Sequence, residues 1–122
     1  MQQLFFEAAW DRTISDQDRR HITELFEAKD HEKGKGLEST YINHATNHRG
    51  DLLYTVMLHN YQDIAYAFVD KNASLQDPDG SIITEKFTIP VNLSPRTSMP
   101  WTFIFPSSMT DNINVSEASF LL

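Results

Sequence analysis

From residue 37 onward the chain is a series of short strand-forming runs separated by turn residues, and this pattern restricts the fold more than any other feature. The strongest turn is Asp77-Pro-Asp-Gly80, because Pro78 presets φ and Gly80 accepts a positive φ. Six or so strands with no helix between them predict a mainly β fold, an antiparallel Ig-like β-sandwich. The runs are LESTYINHAT, DLLYTVMLHN, IAYAFVDKNASLQD, SIITEKFTIPVNL and WTFIF.

The last of these runs predicts where the core lies. Trp101, Phe103 and Phe105 alternate with Thr102 and Ile104, so a strand places the three aromatic rings on one face. Soluble surfaces rarely expose such a patch, which favours a core over a ligand-binding or docking surface. Ile104 lies on the opposite face, and we expect the N-terminal helix segment to cover that face.

The N-terminal residues predict one helix and an apolar segment that packs on the domain. Ser15 followed by Asp18 resembles a capping box. Ile22, Leu25 and Phe26 then form a narrow apolar stripe, so we predict a helix over 16–28. The apolar side chains expected to pack against the domain ahead of this helix are Leu4, Phe5, Phe6, Trp10 and Ile14.

The chain length predicts a single domain in three parts. At 122 residues the chain has the usual size of one domain and is long enough to bury a core. We assign the apolar segment and helix to residues 1–30, the β-sandwich to residues 37–106 and a tail to residues 107–122. A charged linker with two glycines, KDHEKGKG, follows the helix.

The tail ends on three apolar residues, Phe120, Leu121 and Leu122, which are not expected to hang free. They either pair back on their own sheet as a last strand or add to the edge of a neighbouring molecule. We favour the second alternative. We therefore predict a homodimer or a weak self-association, formed through the tail or through an edge strand, with the first strand, Leu37 to Thr46, as the edge candidate.

Composition and charge narrow the class of partner. A net charge of −7 argues against nucleic acid or an anionic membrane surface, because both require a basic patch. The absence of cysteine excludes disulfides, thiol catalysis and Cys-based zinc sites. The N-terminal residues lack the pattern of a signal peptide and no apolar run is long enough to span a membrane, so we expect a cytoplasmic protein.

We predict no metal site and no cofactor. His44 and His48 form H-x-x-x-H, but across a strand end and a turn the two imidazoles lie too far apart to share a zinc ion. Asp77 and Asp79 resemble part of a calcium loop, but Glu85 is too near to serve as the distal ligand. A hairpin turn accounts for both aspartates.

We also predict that the chain is not an enzyme. It contains neither a G-x-S-x-G nucleophile motif nor a Gly-rich phosphate loop. Pairing of His59 with Asp63 or Asp70 is the least favoured hypothesis, because the rest of a catalytic constellation is missing. The alternative function is a small-ligand or carbohydrate-binding domain with a cleft beside Trp10 or Trp101.

Four stretches resemble the SLAP domain, a small domain of Gram-positive bacteria associated with S-layer protein assembly and the accessory Sec export system. They are LFFEAAWDRTISDQDR, LYTVMLHNYQDIAYAF, LQDPDGSIITEKFTIP and LSPRTSMPWTFIFP. The resemblance implies a non-catalytic interaction or assembly module whose partner is a protein of surface-protein export. Candidate partner-binding residues are Trp10, His59, Asn60, Phe120, Leu121 and Leu122.

Overall fold

A computed structural model describes residues 1–122 and shows a mainly β protein with 39% strand and 24% helix. The α-helices are α1 (Ala8–Thr13), α2 (Asp16–Ala28) and α3 (Ser107–Thr110), and two short 3₁₀ helices, His31–Lys33 and Val115–Glu117, complete the helical fraction. The strands are β1 (Gln3–Leu4), β2 (Leu37–Thr46), β3 (Leu52–Asn60), β4 (Lys71–Gln76), β5 (Ile82–Phe87), β6 (Thr97–Phe105) and β7 (Ser119–Leu121).

The strands form two sheets. One sheet has four strands in the order β1-β6-β3-β2, and the other has three strands in the order β5-β4-β7. All neighbouring strands are antiparallel except β1 and β6, which are parallel. The predicted antiparallel hairpin at residues 77–80 joins β4 to β5.

The main core lies between the sheets and contains the predicted aromatic face of β6. Phe103 and Phe105 are fully buried, and Trp101 packs half-buried against the same cluster. The ring of Phe87, from the other sheet, meets Phe103 edge-on at a centroid distance of 4.9 Å. The prediction that WTFIF forms core is therefore confirmed for its two phenylalanines.

A second, smaller cluster lies on the outer face of the four-stranded sheet. There Ile22 of α2 packs on Ile42 and Met57. Six further side chains surround this cluster, namely Leu4, Phe6, Trp10, Ile14, Leu25 and Phe26. The N-terminal segment therefore packs on the domain as predicted, except for Phe5, which is 48% exposed.

The expected cover over Ile104 is wrong, because this side chain is 50% exposed. The N-terminal elements cover the sheet around Met57, which pairs with Pro100 on β6. Ile104 lies four residues further along the same strand, a distance of about 13 Å. That distance places it beyond the reach of the smaller cluster.

Helix α2 begins at the predicted cap. The hydroxyl oxygen of Ser15 accepts a hydrogen bond from the backbone N–H of Asp18 at 3.0 Å, which satisfies one of the unpaired donors at the helix start. Helix α1 is not predicted from the sequence. It is only six residues long, too short to show an apolar period, and is capped by the carboxylate of Glu7.

Two of the predicted strand runs are shorter than their sequences suggested. Residues 61–70 and 88–96 are mostly irregular, and they meet through paired hydrogen bonds between the backbones of Tyr66 and Leu93. Positive φ angles at Asp70 (49°) and Arg96 (53°) interrupt the extended chain. Such angles are uncommon outside glycine and depend on the surrounding packing.

The tail pairs back on its own molecule, contrary to the favoured prediction that it reaches a neighbour. Strand β7 is antiparallel to β4, with Phe120 opposite Leu75. The ring of Phe120 packs on Phe103 and Tyr54 at centroid distances of 5.0 and 5.8 Å. Burial of this ring in the chain's own core explains the pairing, and the β structure extends beyond the predicted range 37–106 at both ends.

Asp77 is buried, and its carboxylate organises the turn between β4 and β5. One oxygen accepts hydrogen bonds from the N–H groups of Asp79 and Ser81, and the other accepts from Asn114 at 3.1 Å. The same carboxylate therefore shapes the hairpin and holds the segment that leads to β7.

Replacement of Asp77 by alanine is expected to lower the free energy of unfolding by about 2–3 kcal/mol, since it leaves three N–H donors without their charged acceptor. Asp79→Ala is the matched control, because Asp79 is exposed and only its backbone is used. Urea unfolding of both variants measures the difference. Equal stability of the two variants would contradict the assigned role.

Candidate functional site

The longest free strand edge in the structure is that of β2. The sheets leave four outer strands, of which β1 has two residues and β7 has three. Strand β5 has six residues and carries Glu85 and Lys86, charges that discourage pairing with another strand. Strand β2 has ten residues, and residues 39–46 contain no charged residue and no proline.

A β-bulge in the middle of β2 changes which side chains share a face. Tyr41 pairs with Val56, whereas the next pairs are Asn43 with Thr55 and His44 with Tyr54, so Ile42 is an extra residue. Regular alternation would place residues 41 and 44 on opposite faces. With the bulge, both side chains lie on the face toward the three-stranded sheet.

Tyr41 and His44 border an aromatic groove beside this edge. The Tyr41 hydroxyl and His44 Nδ1 are 2.8 Å apart, and the His44 ring stacks on Tyr54 at 6.0 Å. Tyr54 in turn stacks on Phe120, and burial raises the pKa of Tyr54. The groove has a volume of about 330 Å³ and lies between β2 and the tail. Its lining is Ser39, Tyr41, Tyr54, Val115, Ser116, Ala118, Ser119 and Phe120.

Two hydrogen bonds show which backbone groups of β2 are free. Just before β2, the Gly36 carbonyl accepts from the Tyr61 N–H, and just after it the Asn47 N–H donates to Asp51. Because hydrogen-bonded and non-hydrogen-bonded pairs alternate in an antiparallel ladder, the backbone groups of every second residue between these points face outward. With the bulge taken into account, these residues are Leu37, Ser39, Tyr41, His44 and Thr46.

The predicted binding residue His59 lies in the interior. Its side chain is 0% exposed, with Nε2 2.8 Å from the Thr40 hydroxyl and Nδ1 2.6 Å from the Ser98 hydroxyl. Ser98 also accepts from the Gln2 amide at 3.1 Å, so Gln2, Ser98, His59 and Thr40 form one hydrogen-bonded chain. Burial, and then the positive charge of Lys29, lower the pKa of His59 to about 3.

This arrangement brings a serine and a histidine to hydrogen-bonding distance in the interior of the protein. In a catalytic triad, a carboxylate orients the second ring nitrogen of the histidine. In this structure the second ring nitrogen of His59 contacts the Thr40 hydroxyl instead. Ser98 is 0% exposed. Asp63 pairs with Arg96 at 2.8 Å on the surface, and Asp70 is also exposed.

Asn60 is likewise fully buried and organises the loops beyond β3. Its amide nitrogen donates to the carbonyl oxygens of Ile64, Leu93 and Ser94, and its amide oxygen accepts from the Gln62 N–H. His59 and Asn60 therefore cannot contact a partner directly in this structure. As predicted, His59 and Asn60 lie at the end of a strand. Their buried side chains hydrogen-bond to other segments of the same chain.

The remaining predicted residues lie in three different places. Trp10 is half-buried in the smaller cluster, and Phe120 is half-buried in the main core. Leu121 and Leu122 are 41% and 46% exposed. Leu122 lines a hollow with Leu37, at the start of β2, so the end of the tail and the β2 edge border the same side of the molecule.

A separate cleft of about 550 Å³ lies beside the end of α2, near the buried histidine. His31 occupies its wall, with Nε2 bonded to the Phe26 carbonyl and Nδ1 2.8 Å from the Tyr61 hydroxyl. Burial raises the pKa of Tyr61 to about 12. The cleft is lined by Met1, Gln2, Phe26, His31, Glu32, Gly34 and Arg96.

Together, the two sheets and the free edge of β2 define a small, mainly β module. The family model of the SLAP domain matches residues 4–122, and the chain belongs to the SLAP domain family. The resemblance in the four sequence stretches is thereby confirmed over almost the whole chain. Comparison with curated proteins finds no match, and comparison with solved structures finds none either.

None of the helices combines the length and apolar character needed to cross a membrane.

Proposed function

We propose that the chain is a non-catalytic protein-interaction module that serves the assembly or export of surface proteins. The family supports a surface-associated or S-layer-associated role. The single observation that carries the interaction role is the ten-residue edge of β2, which has no charged or proline residue over 39–46. Exposed edges of this kind are normally shortened, charged or covered.

The finer architecture we propose is an Ig-like sandwich with α2 on its outer face. A division into four and three strands around one core is that of a constant-type Ig domain. In Ig domains the smaller sheet holds the third, sixth and seventh strands, whereas here it holds β4, β5 and β7. The likeness therefore concerns how the sheets pack rather than how they are connected.

Small-ligand binding is the second candidate function, and the cleft beside α2 favours it. Its volume of about 550 Å³ lies within the usual range for ligand sites. Its wall offers both a cation, Arg96, and a carboxylate, Glu32. The region beside Trp10 is a second place to look for a metabolite, because a cleft of about 540 Å³ lies there, whereas Trp101 lines none of the cavities.

In-cell cross-linking in the native host tests the proposed function. The tagged chain is expected to capture one or more proteins of surface-protein export, and mass spectrometry identifies them. Fractionation of the same cells tests the proposed cytoplasmic location. A metabolite that stays bound to the purified chain, together with no specific protein partner, would favour the second candidate.

A further inference from the structure

We infer that the β2 edge captures an extended peptide segment of a partner protein as an added antiparallel strand. This inference rests on the proposed interaction function and names its binding mode. Peptide addition to a sheet edge derives affinity from main-chain hydrogen bonds and specificity from pockets for alternate side chains. Strand β2 offers both elements along the same side of the molecule.

Two of the five residues with outward backbone groups, Ser39 and Tyr41, also line the groove. All five have N–H and C=O groups that face outward and side chains directed toward the three-stranded sheet. These residues are Leu37, Ser39, Tyr41, His44 and Thr46. A peptide paired with them places every second side chain over the groove. Because five of its eight lining side chains are aromatic or aliphatic and its volume is about 330 Å³, the side chains that enter the groove are small and apolar.

The bulge explains why we favour a foreign peptide over a second copy. In a symmetric pair of β2 strands, each copy would bring the irregularity at Tyr41–Asn43 into the same ladder. Bulges of this kind bend and twist an edge strand, which disfavours its regular pairing with the same strand of a second molecule. A flexible peptide can follow the bent edge, whereas a second rigid copy cannot.

Charge adds a preference for basic segments. The chain carries a net charge of −7, which favours association with cationic over anionic peptides. Glu117 is exposed on the tail, between groove residues Ser116 and Ala118. The captured segment therefore carries a lysine or arginine at the end that lies beside Glu117.

The test uses a fluorescent peptide of about nine residues, the length of a long strand, with alternating valine and threonine and a lysine at each end. Fluorescence anisotropy is expected to show saturable binding to the full chain. A twin with glutamate in place of lysine is expected to bind about tenfold more weakly at low salt. Glu117→Gln is expected to reduce this difference.

Backbone and edge variants locate the binding. Ser39→Pro removes an outward N–H without breaking the ladder to β3, and is expected to weaken binding at least about tenfold. Ser39→Ala keeps the N–H and should bind like the wild type. If the proline variant fails to fold, Tyr41→Lys places a charge on the edge, with Tyr41→Phe as its control.

NMR amide shifts distinguish the sites. Peptide-induced shifts are expected on β2 and residues 115–120. Shifts centred on β5 or α2, undiminished binding to Ser39→Pro or Tyr41→Lys, or no binding by the wild type would overturn the inference. Self-association of the wild type that Ser39→Pro abolishes, without peptide binding, would overturn it in favour of a second copy.

The two proposals fail in different ways. If export proteins are cross-linked equally by the wild type and Ser39→Pro, the interaction function stands and edge capture is wrong. If no export protein is cross-linked while the lysine-ended peptide binds β2, edge capture stands and the proposed role in export is wrong.

Discussion

Phe103→Ala is expected to lower the free energy of unfolding by about 3–5 kcal/mol, the range for truncating an aromatic ring in a packed core. Phe103 is 0% exposed and touches rings from several elements. These are Phe68, Phe87 and Phe120, at centroid distances between 4.9 and 5.7 Å. Phe87 and Phe120, on the two outer strands of the other sheet, cannot collapse into the vacated volume without pulling those strands away from β4. Thermal and urea unfolding measure the loss.

Ile104→Ala is the matched control for this variant. It removes an apolar side chain from the next position of the same strand, where the side chain is 50% exposed, and is expected to cost less than about 1 kcal/mol. Trp101→Ala should fall between the two, because Trp101 is half-buried. Near-wild-type stability of Phe103→Ala with lost partner binding would instead identify the aromatic face as a docking surface.

Acidification is expected to destabilise the protein through His59. Its pKa is lowered to about 3 in the folded chain from 6.5, so the unfolded state binds the proton more readily between these values. The contribution of His59 to stability is complete above pH 6.5 and decreases as the pH falls toward 3. The expected slope is roughly 1.4 kcal/mol per pH unit in that window.

His59→Gln isolates this contribution. Glutamine can still bond one of the hydroxyls of Thr40 and Ser98 but does not titrate. The variant is expected to be less stable at pH 7, and its stability should fall less steeply than that of the wild type between pH 6 and 4. Urea unfolding at several pH values supplies both slopes. Glu38 and the other carboxylates remain in both proteins and contribute equally to both slopes. Identical slopes would therefore show that His59 takes up no proton when the chain unfolds.

The sequence predicted the local features of the fold well. The cap at Ser15, the turn at Asp77-Pro-Asp-Gly80 and the alternation of Phe103 and Phe105 each depend on neighbouring residues, so short windows of sequence contain the information. The irregular stretch 61–70 was harder to predict. It contains strand-forming residues, but the Asn60 amide hydrogen-bonds loop carbonyls up to 34 residues away.

The candidate site was predicted only in part. Leu37–Thr46 was named as an edge strand, and it lies at the edge of the larger sheet. His59 and Asn60 were named as binding residues, but their polar side chains are used inside the protein. No short-range pattern distinguishes a buried histidine from an exposed one, because its partner Ser98 is 39 residues away in the chain.

By itself, the sequence determined the mainly β character, the position of α2, the core face of β6 and the family of the chain. The first three follow from spacing, capping and turn chemistry, which act between residues close together in the chain. The family follows from the resemblance of the four sequence stretches to the SLAP domain. Only the tertiary structure decided that the tail closes its own second sheet and that the outer edge of β2 remains unpaired. The bulge at Ile42 also appears only there, since strand order and register depend on contacts between distant segments.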